Sequence, residues 1–307
     1  MTTIGLFVLG LILICVGGDR LVDAAVAIAR KLGIPQIVVG ATIVSLGTTL
    51  PEILVSTTAA FDGSAAIAAG NAFGSIICNT ALIAGLTQTV RPAEKVGTAS
   101  IAWRSIFFFV VMILLEGYGI LVGVFQRFSG MFLLAAFVLY ACLNVRYAVG
   151  EEEEDTVEGV SIPKQLLILA GCAFLLYLGA NLLVDNGILI AQALGVPERV
   201  IAVTFIALGT SLPELVTSLM SLAKGYGNVG LGNIIGANTL NMLLVIGIPA
   251  TVAGIPLERQ TLAVDIPLGI LVMGILFVPI LIRKRSSRIQ GIFLLGIYAT
   301  YCMMSFV

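Results

Sequence analysis

Apolar residues run along this chain in long stretches rather than in the one-sided stripes of soluble amphipathic helices. Ten such runs fall near residues 3–29, 36–61, 65–89, 105–124, 129–148, 164–191, 200–222, 229–252, 262–282 and 289–306, and the short connections between them hold nearly all the charge. Each run approaches the roughly 20 apolar residues that a helix needs to cross a bilayer. A membrane β-barrel would instead show strand-length segments of alternating character, and none is present. The pattern therefore predicts an all-α polytopic membrane protein with ten transmembrane helices. Composition agrees: 59% hydrophobic residues, 11% charged residues and a mean hydropathy of +1.11 do not suit a surface facing water. The formal net charge of −1 and the lack of a basic stripe give no sign of a nucleic-acid partner. The lipid bilayer is the partner that composition implies, and nothing calls for an obligatory protein partner.

The runs fall into two copies of one unit. Gly47-Thr48-Thr49-Leu50-Pro51-Glu52 aligns with Gly209-Thr210-Ser211-Leu212-Pro213-Glu214, and the same offset then holds without a gap on both sides. Upstream, Leu21-Val22-Asp23 falls on Leu183-Val184-Asp185, and downstream Gly70-Asn71, Gly74 and Asn79 fall on Gly232-Asn233, Gly236 and Asn241. The first run has a partner in the sixth, so it reads as part of the fold rather than as a cleaved signal. With five runs in each copy, the second must enter the membrane from the opposite side. The expected organisation is a first repeat over 1–149, an acidic cytoplasmic linker over 150–163 and a second, inverted repeat over 164–307.

Charge fixes an orientation. The odd-numbered connections hold Arg30, Lys31, Arg91, Lys95, Arg104, Arg146, Lys164, Lys224, Arg283, Lys284, Arg285 and Arg288, against Arg127, Arg199 and Arg259 on the even ones. Positive residues near helix ends concentrate on the cytoplasmic side, so both termini are expected outside. Without a targeting signal, the plasma membrane is the expected location.

Chemistry enters where polarity interrupts the apolar runs. Glu52 and Glu214 each stand inside one, where an ionised carboxylate costs about 2.5–3.5 kcal/mol on insertion scales. The proline before each glutamate lacks an N–H and breaks the helix, which frees the carbonyls of Gly47 and Gly209 beside the carboxylates. Thr48 and Thr49 lie one turn before Glu52, as Thr210 and Ser211 do before Glu214. On the following helix Asn71, Ser75 and Asn79 form a polar stripe; Asn233 and Asn241 repeat it, with Ala237 as the interruption. Gly70, Gly74, Gly232 and Gly236 allow close helix contact. The inventory is oxygen-rich, histidine is absent, and Cys15, Cys78, Cys142, Cys172 and Cys302 lack metal-ligand spacing. Two carboxylates, carbonyls, hydroxyls and amides suit Ca²⁺ and Na⁺ rather than zinc, copper or iron. Asp23 and Asp185, paired by the repeat, are expected as interfacial residues near the inner ends of their helices, where they stand as candidates for an ion entry path.

The motif G-T-[TS]-L-P-E followed by G-N-x-x-G-[SA]-x-x-x-N, present in both halves, closely resembles the α-repeats of the cation/calcium antiporter superfamily, and within it the prokaryotic sodium/calcium exchangers. That resemblance implies a secondary active antiporter rather than an enzyme, with Na⁺ and Ca²⁺ as transported ions and no cofactor. It implies alternating access that moves net charge. Glu52 and Glu214 would bind Ca²⁺ and share Na⁺, with the carbonyls of Thr48 and Thr210 completing the central site. Thr49, Ser211 and Ser75 would contribute hydroxyls to Na⁺ sites, Asn79 and Asn241 would lie on the core stripe, and the carbonyls of Ser45 and Ala207 would complete the flanking sites. Ala237 departs from the family's serine and removes one side-chain oxygen. Asn241 stands where several exchangers, including potassium-dependent ones, carry an acid. Proton coupling remains the alternative, because two buried glutamates also suit proton exchange. An intramembrane acid–base enzyme or an open channel fits the duplicated cation ligands less well.

Overall fold

The computed structural model describes residues 2–93, 98–148, 159–195 and 209–305, and these are helical apart from one two-residue β ladder. Seven of the helices are long and apolar enough to cross a membrane, or eight if a bent pair counts as one span. The molecule is an all-helical membrane protein. Arg288–Ser305 is helical but falls outside those seven, and the first part of the expected seventh run lies outside the described residues. So does most of the acidic connection expected over 150–163.

Helices α1 (Thr2–Leu32) and α9 (Ile162–Ala193) are longer than a bilayer requires, at about 46–48 Å each for a rise of 1.5 Å per residue. They pack backbone to backbone. A Cβ on Gly10 would lie 2.8 Å from the Gly179 carbonyl oxygen, and one on Gly179 would lie 2.9 Å from that of Gly10. In a bilayer, where apolar contact alone does not drive helices together, such close approach is the main source of association.

The remaining helices are more broken. The second run resolves into α2 (Gln36–Val39), a π-helical turn (Gly40–Val44), α3 (Ser45–Thr48) and α4 (Leu50–Phe61), with a bend of 43° before α4. The third resolves into α5 (Ala66–Ile77), a π turn (Cys78–Ala84) and α6 (Gly85–Val90). After α7 (Thr98–Val122), β1 (Val124–Phe125) and α8 (Arg127–Ala148), the second half supplies α10 (Leu212–Ala223), α11 (Gly227–Leu240), a π turn (Asn241–Ile246) and α12 (Gly247–Val252). Strand β2 (Ile255–Pro256), a π turn (Thr261–Asp265), α13 (Ile266–Arg283) and α14 (Arg288–Ser305) follow.

Helix α11 forms the centre, with every residue from Val229 to Leu240 buried. Its glycines make that possible. A Cβ on Gly232 would collide with the Ile37 carbonyl, and one on Gly236 with Ser45 Oγ and the Ala41 carbonyl. Nothing approaches Gly70 or Gly74 among the described residues; their partners under the repeat, residues 199, 203 and 207, lie outside them.

Connections of like parity meet. The fourth and eighth pair as β1 and β2. In the third and ninth, the Ala93 N–H donates to Ser286 Oγ at 2.7 Å, and Arg30 of the first lies 5.7 Å over the Tyr226 ring of the seventh. In these contacts odd connections meet odd ones and even connections meet even ones. One charge in the orientation count moves: Arg104 lies inside α7, fully buried, where it donates to Asn144 at 2.7 Å and stacks 4.5 Å over Trp103. A guanidinium with partners of its own is packing, not a loop charge. The remaining residues still favour the odd connections.

Candidate cation site

The site begins with two matching breaks in the backbone. Pro51 occupies the first turn of α4 and Pro213 that of α10, where a missing N–H is tolerated. The residue before each new helix has nearly the same geometry: Thr49 has φ −82°, ψ −2° and Ser211 has φ −86°, ψ 4°. The carbonyl of Thr49 accepts from the Ile53 N–H at 3.1 Å, and that of Ser211 accepts from the Leu215 N–H at 3.0 Å. Both breaks place a glutamate in the first turn of the helix that follows, which favours a negative group at its N-terminus.

Glu52 and Glu214 are fully buried. Among the described residues, both carboxylate oxygens of Glu52 and Oε2 of Glu214 lack a hydrogen-bond partner, as do the side-chain amides of Asn79 and Asn241. Around them two hydrogen bonds obey the repeat: Thr48 Oγ1 donates to Asn233 Oδ1 at 3.1 Å, and Thr210 Oγ1 donates to Asn71 Oδ1 at 3.3 Å. Each ties the helix before one break to the polar stripe of the other half. Asn71 also donates to the Glu52 carbonyl at 3.2 Å and to Ser56 Oγ at 2.9 Å.

A third pair does not obey the repeat. Ser211 Oγ donates to Ser75 Oγ at 3.4 Å, but Ser75 corresponds to Ala237, which offers Thr49 no oxygen. Thr49 Oγ1 turns instead to Glu214 Oε1, at 3.3 Å. The two carboxylates are therefore unequal. Ser45 is buried, and its carbonyl already accepts from the Thr49 N–H at 2.9 Å and from Thr48 Oγ1 at 3.3 Å. Ala207 lies outside the described residues. The structure thus links Thr48 to Asn233, Thr210 to Asn71, Thr49 to Glu214 and Ser211 to Ser75, whereas the buried side chains of Glu52, Asn79 and Asn241 have no hydrogen-bond partner among the described residues.

A family model described as sodium/calcium exchanger protein matches residues 2–146 and 164–307. The chain belongs to the sodium/calcium exchanger family. The putative antiporter CaxA of Alkalimonas amylolytica is 34% identical over 98% of both chains. The sodium/calcium exchanger MaX1 of Methanosarcina acetivorans is 28% identical over 98% of this chain and 97% of its own. A solved structure of the sodium-calcium exchanger NCX_Mj superposes with a TM-score of 0.82 at 32% identity, covering 97% of each chain. As a member of the sodium/calcium exchanger family, this chain is a membrane cation antiporter, in a family of transporters rather than enzymes.

The family's hallmark residues do not exhaust the buried polarity. The π turns that open at Cys78 and Asn241 were not legible in the sequence, although both adjoin the stripe asparagines, and such bulges gather at functional sites. Asn238 Nδ2 donates to Thr80 Oγ1 at 2.7 Å, and Gln88, Thr217, Ser218 and Ser221 are buried as well. Asp23 takes a different role from the one expected. It is half-exposed and pairs with Lys224 at 2.7 Å, a contact the sequence did not reveal, and its counterpart Asp185 lies exposed on α9.

Proposed function

We propose that this protein exchanges Na⁺ for Ca²⁺ by alternating access, with Glu52 and Glu214 as the shared ligands and more Na⁺ charge than Ca²⁺ charge moved per cycle. The observation that carries the proposal is the pair of fully buried glutamates with three carboxylate oxygens that have no hydrogen-bond partner among the described residues. Among the described residues, neither has a salt-bridge partner. Leaving an uncompensated charge buried costs about 3–5 kcal/mol, so the pair favours cations as its natural complement. Oxygen ligands without imidazole select hard cations. Na⁺ and Ca²⁺ would compete for the carboxylates, Asn79 and Asn241 would supply amide oxygens, and the hydroxyls of Thr49, Ser75 and Ser211 would complete flanking Na⁺ positions. The carbonyls of Ser45, Thr48, Ala207 and Thr210 are proposed as the remaining ligands.

The scaffold proposed for this cycle is ten spans in two inverted repeats, over 1–149 and 164–307, joined by the acidic linker 150–163. Matching breaks, matching π turns and the meeting of connections by parity support it. Broken helices that meet at a repeat interface are the expected setting for alternating access. The arginine and lysine bias supports an odd face turned to the cytoplasm and both termini outside, in the plasma membrane.

The test is uptake of radiolabelled Ca²⁺ into proteoliposomes loaded with Na⁺. Uptake that requires internal Na⁺, and is lost in Glu52→Gln and in Glu214→Gln, is the expected result. Uptake that ignores Na⁺ and follows a pH gradient would replace Na⁺ with H⁺ as the driving ion, and uptake that survives both substitutions would move the site elsewhere.

A further inference from the structure

Helix α10 carries more buried polarity than the proposed ion ligands need. Glu214, Thr217, Ser218 and Ser221 follow one another at helical spacing along one side, and all are at most 1% exposed. Their counterparts in the first half are Glu52, Val55, Ser56 and Ala59, so the stripe belongs to the second half alone. The single hydroxyl in common, Ser56, has a partner in Asn71. The hydroxyls of Thr217, Ser218 and Ser221 have none among the described residues.

That is unusual within this molecule. Hydroxyls on helices commonly turn back to the carbonyl four residues earlier, as Thr42, Thr80, Thr87, Thr239 and Thr251 do here at 2.7–2.9 Å. On α6, Gln88 is 3% exposed, and among the described residues neither its amide oxygen nor its amide nitrogen has a partner. Gln88 and, of the stripe, Ser218 line a cavity of about 250 Å³, together with Gln36, Arg91 and Asn228 among others. It opens among the ends of helices at the odd connections and reaches Ser218, about 5–6 Å along α10 from Glu214.

Buried polar atoms without partners cost about 1–3 kcal/mol each, and a polar cavity many times the volume of one water, bordered by Gln88 and Ser218, fills with water. We propose that this cavity is a hydrated transit site for Na⁺ and Ca²⁺, joining Glu214 to the odd face, with the hydroxyl of Ser218 and the amide oxygen of Gln88 as passing ligands. Neutral oxygens hold a cation loosely, and a conducting site must release what it binds. Among the described residues the cavity lining contains no carboxylate that would trap the ion, and Arg91 is the one charge; it is exposed, and at physiological salt its field is screened beyond about 8 Å. The assignment of the ions rests on the Na⁺/Ca²⁺ reading above, whereas the hydration of the cavity does not.

The test uses the full chain in proteoliposomes, with Gln88→Cys and Ser218→Cys exposed to a membrane-impermeant cationic thiol reagent from one side at a time, and wild type as the background for its own cysteines. Both positions should react from the odd face only, and reaction should block Na⁺-dependent Ca²⁺ uptake. Separately, Gln88→Leu and Ser218→Ala should slow turnover at least threefold with Ca²⁺ affinity at equilibrium unchanged. Reaction from neither side would overturn the hydrated cavity. Reaction without block, or turnover within a factor of two of wild type in both polar-to-apolar variants, would leave a water pocket through which no ion passes and overturn the transit role. A wild type that shows one-sided labelling but no Na⁺-dependent uptake would instead overturn the ion assignment.

Discussion

At the scale of single residues, the two carboxylates differ because of one missing oxygen. Thr49 and Ser211 are equivalent under the repeat, yet Ser211 donates to Ser75 while Thr49, facing Ala237, donates to Glu214. Ala237→Ser adds an acceptor where Ser75 has one and draws Thr49 away from the carboxylate. A hydrogen bond contributes about 1 kcal/mol net, roughly a fivefold change in an equilibrium. The Na⁺ concentration giving half-maximal Ca²⁺ uptake should fall by about that factor in Ala237→Ser, and an unchanged value would mean that Ala237 does not limit Na⁺ binding. Much of this site was legible in the sequence. A repeat that duplicates a glutamate, two hydroxyls and an asparagine stripe leaves few positions to choose from, and Thr48, Thr49, Ser75, Thr210 and Ser211 all meet partners among them or on the stripes. What spacing did not reveal is the crossing pattern, Thr48 to Asn233 and Thr210 to Asn71, because hydrogen bonds between halves depend on how the halves dock. Nor did it reveal Gln88, Thr217, Ser218 and Ser221, which belong to no repeated motif.

At the scale of elements, apolar runs predict where helices lie but not where they break. Proline announced the breaks before Glu52 and Glu214; no residue announced the π turns at Cys78–Ala84 and Asn241–Ile246. A π turn arises from packing on a neighbour, and its composition is that of the α-helix around it. The glycine signal was read at the right positions on α11, where the contact is more severe than spacing alone conveys. A Cβ at Gly232 collides with the Ile37 backbone, which cannot rotate aside, whereas Gly274 on α13 has nothing within 4 Å. Gly232→Ala should therefore cost about 1–3 kcal/mol, as overpacking does, and lower the melting temperature in detergent. Gly274→Ala should leave it unchanged or raise it slightly, since alanine is the better helix former. Equal effects at the two sites would argue against close backbone contact between α11 and α2.

At the scale of the whole molecule, one lysine ties the long helix α1 to the core. Lys224, in the turn after α10, reaches Asp19 and Asp23 at 2.7 Å each and donates to the Asp19 carbonyl at 2.8 Å. Partial burial works against its charge, but the bonds to Asp19 and Asp23 outweigh it and raise its pKa above the ordinary lysine value. A raised pKa means the link is fully present below the unfolded value of about 10.4 and is lost only as pH rises through the folded one. Titration between pH 6 and 9 should therefore leave the link intact, and salt should weaken it. The aspartates are about half exposed, so each pair contributes no more than about 1 kcal/mol. A double-mutant cycle with Lys224→Gln and Asp23→Asn, read by thermal unfolding, should give a coupling of that size at low salt and near zero at 1 M, where the screening length is about 3 Å. The repeat makes the link one-sided. Lys224 corresponds to Asp62 and Asp23 to Asp185, so the repeat sets two like charges at the positions equivalent to this ion pair. If the long helices slide past the core in the proposed cycle, closure at the odd face gains an ion pair and closure at the even face meets repulsion. Asp62→Lys reverses that repulsion. It should bias the protein toward even-face closure and slow Na⁺-dependent Ca²⁺ uptake several-fold at low salt, with the rate recovering in Asp62→Lys combined with Asp185→Asn. A rate unaffected by either change would mean that Asp62 and Asp185 never approach each other during transport.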